Sequence, residues 1–194
     1  MSAREWTDIG TTLFLDTLDG LTDAELDAST ALEGWTRKHL VAHVHYNAEA
    51  LRRLVSWAAT GVENRMYAST EQRNTEIASG AQLPAAELRA LVRDSATALA
   101  SAMDALPAEA WQRQVITAQG RVVPATEIPW LRAREVCVHA VDLDSGVTFD
   151  DLPDDFTTAL ATDVVSTHAK AGAADLVAWL TGRTTEPPQL GRWL

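Results

Sequence analysis

Apolar residues recur every three or four positions along most of this chain, and an α-helix is the element that gathers such residues onto one face. Four stretches are long enough to bury a shared core: residues 6–18, 37–59, 84–106 and 126–143. Trp6, Ile9, Leu13 and Leu18 mark the expected inner face of the first, with Gly20 as its stop. Thr36 reads as the N-cap of the second, which should end before Gly61. Pro84, at a first-turn position, opens the third, a run rich in Ala and Leu. Brief helices are expected at 22–28, capped by Thr22, and at 67–79, opened by Ser69 or Thr70. Residues 112–124 change pattern and read as a small β-hairpin that needs packing support.

These elements predict an all-α fold, a four-helix bundle carrying a small β-hairpin. The segments between the principal helices are long for simple turns, which predicts at least one crossover connection. The bundle should occupy residues 1–145. The acidic loop 144–155, with Gly146 and Pro153, is the expected boundary. Residues 146–194 should then form a short helical extension, with helices over 156–171 and 175–180, a stop at Gly182 and an irregular tail from Thr184.

Composition narrows the function. With 194 residues and a formal charge of −11, the chain should be repelled by polyphosphate and anionic lipid, so neither nucleic acid nor a membrane surface is an expected partner. The opening residues carry no secretory pattern and no apolar run is long enough to span a bilayer, so a reducing, cytoplasmic setting is expected. The single cysteine, Cys137, can form no internal disulfide and no Cys-rich metal site. A metal would have to be held by His and carboxylates. There is no G-x-S-x-G elbow, P-loop or G-x-G-x-x-G. The seven Trp are scattered, and Trp35 and Trp179 read first as packing residues.

Three histidines, His39, His43 and His45, fall on the second long helix. At about 100° per residue, with Leu40, Val44, Leu51, Leu54, Val55 and Ala58 as the core stripe, His43 lies nearest that stripe. His39 and His45 lie further round. Asn47 shares the face of His43. On the fourth long helix, Ile128, Leu131, Glu135, His139 and Asp142 descend one face in steps of three and four. A core-side Glu is costly without a cation or donors. Glu135 and His139, joined by His43, make a two-His, one-carboxylate set suited to Zn²⁺ or another divalent ion with an open position. The same residues also fit a structural network, with Glu135 on Arg132 or Arg134 and His139 on Asp142. Cys137 lies about 200° from Glu135 around the helix and cannot face the same point.

The segments EGWTRKHLVAHVHYNAEAL and WLRAREVCVHAVDLDSGV resemble the mycothiol-dependent maleylpyruvate isomerase family, an actinobacterial group within the DinB-like metal-binding four-helix bundles. The resemblance covers roughly residues 5–145, with an echo in AADLVAWLTGR. Its strongest part is the R-x-x-E-x-x-x-H-x-x-D-L run of Arg132, Glu135, His139, Asp142 and Leu143, together with W-T-x-x-x-L and His43. It implies a DinB-like fold and zinc held by His43, Glu135 and His139. It also implies mycothiol, a low-molecular-weight thiol, as cosubstrate.

In such an enzyme the mycothiol thiolate adds to the cis double bond of maleylpyruvate, and rotation and expulsion give fumarylpyruvate. S-transfer or cleavage of a thiol adduct is the neighbouring chemistry, and a non-catalytic metal- or ligand-binding stress-response bundle is the non-enzymatic alternative. Partners are a small thiol and a small anionic or electrophilic substrate, in a monomer or homodimer. The resemblance makes Arg183, in WLTGR, the residue expected to hold the anionic substrate. Family members carry a larger C-terminal domain than the 146–194 segment, which reads as truncated.

Overall fold

The computed structural model describes residues 1–190. The tail residues 191–194, part of the expected irregular tail, lie outside the described residues. Seven α-helices follow one another: α1 (Ala3–Gly20), α2 (Asp23–Leu26), α3 (Arg37–Thr60), α4 (Thr70–Gly80), α5 (Ala85–Asp104), α6 (Ile128–Asp142) and α7 (Asp154–Leu180). Between α5 and α6 lies an antiparallel hairpin, β1 (Gln114–Ile116) and β2 (Val122–Pro124), in which Val115 faces Val123. Both valines are buried, which supplies the packing support that so short a hairpin requires.

Local chemistry sets the helix ends. Thr22, Thr36 and Ser69 are N-caps, each accepting a backbone N–H with its hydroxyl. Such a cap contributes about 1 kcal/mol. Gly61, at φ 75°, ends α3 in the left-handed conformation that glycine adopts without strain. Pro84 sits one position earlier than expected, at the N-cap of α5.

Helix α1 starts three residues before the expected Trp6, because Ser2 and Glu5 form a reciprocal capping box. Gly20 does not stop it but is its last residue, and the Leu21 N–H closes the end on Leu18. Its inner face also differs from the expected stripe. Thr7, Gly10, Phe14 and Leu18 are buried, whereas Ile9 is 38% exposed. The cause is a close approach: a Cβ on Gly10 would lie 2.4 Å from Cys137 Sγ, so α1 rests on α6 along a face with no bulky residue at its middle. Trp6 stacks edge-on against Trp130 instead, with centroids 5.8 Å apart.

Helix α1 packs chiefly on α6, and α3 packs on both α5 and α6. The long helices α1 and α3 therefore occupy diagonal corners of the four-helix unit, and so do α5 and α6. The expected crossover follows from this arrangement, and the hairpin lies within the second crossing. The core runs through Leu51, Leu54, Leu99, Met103, Val115 and Ile128.

The chain separates into two compact units, Met1–Asp151 and Leu152 onward. The second consists mainly of α7, which breaks at Gly172 where two helices were expected on either side. Gly182, at φ 69°, follows its end. Among the described residues, no helix is long and apolar enough to cross a membrane.

Candidate metal centre

Helices α3 and α6 bring His43, Glu135 and His139 together, with one ligand atom from each lying within 4.8 Å of the others. His43 Nε2 lies 2.8 Å from Glu135 Oε2, and His139 Nε2 lies 3.4 Å from the same oxygen. The two imidazole rings meet edge to face, 5.0 Å apart. Of the three histidines on α3, His43 alone is buried against α6. His39 is used in capping α3, where its Nδ1 accepts the Thr36 N–H. His45 turns to α5, where its Nδ1 donates to the Leu91 carbonyl at 3.1 Å. The angular reading of the sequence is thus borne out in the placement of all three.

The surroundings orient these groups. Asp142 Oδ2 accepts from His139 Nδ1 at 2.8 Å, which turns Nε2 toward Glu135. Arg132, fully buried, donates to the Val44 carbonyl at 2.8 Å and to Asn47 Oδ1 at 2.9 Å, tying α6 to α3. No direct ion pair joins it to Glu135; its Nη1 serves both Val44 and Asn47. Trp35 stands edge-on to His43 with centroids 5.4 Å apart, so it is part of the site's wall.

Electrostatics follow from burial and charge. Burial works against ionisation of Glu135, but the charges and hydrogen bonds of His43 and His139 outweigh it and hold its carboxyl well below the usual range. Burial depresses His43, and the partial compensation from Glu135 leaves it lowered. Burial also opposes the charged form of His139, yet Asp142 and Glu135 raise it to about 9. The Arg132 guanidinium is lowered to about 10 by burial.

A nitrogen, oxygen, nitrogen donor set converging on one point fits a divalent cation, and an imidazole whose other nitrogen is held by a carboxylate is the usual partner of such an ion. Cys137 takes no part. Its thiol points at the Trp6 carbonyl, 3.8 Å away, and burial pushes it up to about 12.

Arg73 was not legible in the sequence as a site residue. It lies on α4, in the polar run Thr70–Gly80, and its Nη2 reaches within 3.3 Å of His43 Nδ1. Nothing local singles it out; the way α4 folds onto α3 brings it there. Arg183, the residue expected to hold substrate, belongs to the second compact unit. It is exposed just beyond α7, and its guanidinium donates to the Thr181 carbonyl. Trp179 belongs to the same unit, on α7, and is 37% exposed.

Residues 8–144 match the model of the mycothiol maleylpyruvate isomerase N-terminal domain. The chain belongs to the mycothiol-dependent maleylpyruvate isomerase family. Its matched region includes His43, Glu135 and His139 and ends before Arg183. Among solved structures, a crystal structure of the mycothiol-dependent maleylpyruvate isomerase is 42% identical, with a TM-score of 0.87, over 90% of this chain and 72% of that one. A point mutant of the isomerase aligns over the same shares at 42% identity, with a TM-score of 0.86. No curated protein matches the sequence.

Proposed function

We propose that this member of the isomerase family is a zinc enzyme that uses mycothiol as cosubstrate to convert a cis-configured, maleylpyruvate-like substrate into its trans isomer. The convergence of His43 Nε2, His139 Nε2 and Glu135 Oε2 carries the reading. The family match and the 42% identity to a solved isomerase support the reaction class.

A divalent ion in this donor set supplies Lewis-acid stabilisation of a thiolate, and the thiol cosubstrate supplies the sulfur that adds to the double bond and is later expelled. The chain's own residues prepare the ground for this. Asp142 holds the Nδ1 proton of His139 and so presents its Nε2 lone pair inward. Arg132 and Asn47 lock α3 and α6 in register, which fixes the separation of His43 from the other two ligands. Trp35 covers one side of His43 and limits the water that reaches it. Cys137, buried and protonated, leaves the reacting sulfur to come from the small thiol.

Zinc content and turnover test the proposal together. Purified protein should hold about one zinc per chain and should convert maleylpyruvate only when mycothiol is present. His43→Ala and Glu135→Ala should lose both properties. Stoichiometric zinc at unchanged affinity in those variants would refute the site. Turnover of electrophile–mycothiol pairs, with none of maleylpyruvate, would make the protein a transferase.

A further inference from the structure

We propose that Arg73 is the substrate-recognition residue of this site, its guanidinium holding a carboxylate of the anionic substrate beside the metal ligands. The inference rests on the reading above and adds to it the group that selects an acidic substrate.

Several arginines among the described residues pair with carboxylates: Arg4 with Asp104, Arg52 with Glu49 and Arg93 with Asp19. Arg73 is different. Among the described residues its guanidinium meets Asn74 Oδ1 at 3.3 Å, His43 Nδ1 at 3.3 Å and the Tyr67 side chain, and none of these is a carboxylate. Its charge is permanent, and its planar fork matches the geometry of a carboxylate. Tyr67 and Asn74 flank it without neutralising it. A guanidinium with no carboxylate partner, 3.3 Å from a proposed metal ligand on a chain of net charge −11, is a receptor for an anion.

The contact with His43 strengthens the case. Arginine offers only donors, so His43 Nδ1 accepts here, and the ring proton sits on Nε2, facing Glu135. An imidazole that gives its Nε2 lone pair to a metal keeps its proton on Nδ1. Nδ1 and the guanidinium would then both be donors, and no hydrogen bond could join them. Metal ligation by His43 therefore releases the Arg73 fork from the ring while the backbone of α4 keeps it at the site. Its donors are then available to a substrate carboxylate.

Binding of maleate, a cis dicarboxylate that lacks the pyruvate portion of maleylpyruvate, can be measured by calorimetry on zinc-loaded protein with no thiol present, so that nothing turns over. Arg73→Gln should weaken maleate by on the order of tenfold or more, with zinc content and melting temperature unchanged. In turnover it should raise KM for maleylpyruvate more than it lowers kcat. Arg73→Lys, which keeps the charge but loses the fork, should fall between. If the glutamine variant is unstable, Arg73→Met, closer in shape, carries the same test. Maleate affinity within twofold of wild type in a folded, zinc-replete variant would overturn the assignment, and so would failure of the wild type to bind maleate. If maleylpyruvate is not turned over by the wild type, the isomerase reading fails, but the calorimetric comparison still reads Arg73 directly.

Discussion

The Nδ1 of His139 and the Oδ2 of Asp142 stand 2.8 Å apart, one helical turn from each other on α6. The contact keeps a proton on Nδ1 and turns Nε2 toward the carboxylate of Glu135. A ligand so oriented loses little rotational freedom when it binds an ion, and its basicity is raised by the charge behind it. Asp142→Ala should therefore weaken zinc by about 10–100-fold without abolishing the site. Asp142→Asn, which keeps an acceptor but not the charge, should do less. Competition with a coloured chelator reads both, and an affinity in Asp142→Ala equal to wild type would show that the aspartate has no orienting role.

The same residues set a pH dependence in metal-free protein. Glu135 is held below its ordinary 4.5, so its contribution to stability is present above that pH and is lost as pH falls through its folded value. His139 is raised from 6.5 to about 9, so its contribution is complete below 6.5 and is lost as pH rises through about 9. Both are in full force between these limits. Urea midpoints of chelated protein should thus fall from pH 6 to pH 9.5, and His139→Gln should flatten that upper limb. With zinc the sign reverses, because His139 must shed its proton to bind, and affinity should rise over the same range. A chelated wild type with equal midpoints at both pH values would contradict the raised His139.

Much of this arrangement could be read in the sequence, and the misses have a common cause. The caps at Thr36 and Ser69 act through neighbours three residues away, so local spacing reveals them. His43 was separable from His39 and His45 because the core stripe of α3 is unambiguous, and all six of the apolar residues that define it are buried. The capping box of Ser2 and Glu5 was equally local, and its S-x-x-E spacing was the signal for the earlier start of α1. Arg73 and the inner face of α1 are another matter. Arg73 acquires its place when α4 folds onto α3. The burial of Thr7 and Gly10 reflects the close contact with α6, which favours small residues over the larger Ile9. Periodicity registers hydrophobicity along one chain segment and is blind to how near a second helix will come.

That closeness yields a direct test. A Cβ added to Gly10 would lie 2.4 Å from Cys137 Sγ and 2.8 Å from Val136 Cγ2, with the Cys137 backbone nitrogen only 3.2 Å away. Overpacking of this kind costs about 1–3 kcal/mol, so Gly10→Ala should lower the urea midpoint even though alanine favours a helix. Gly20→Ala is the internal control: nothing lies within 4 Å of that position, and it should be neutral or slightly stabilising. Cys137→Ala alone should cost about 1 kcal/mol for the buried sulfur. Combined with Gly10→Ala it removes the tighter of the two side-chain clashes, so the double variant should be more stable than the sum of the singles by about 0.5 kcal/mol or more. Additivity would mean that α1 and α6 separate to admit the methyl group. The interface would then be looser than the packing of Gly10 against Cys137 indicates.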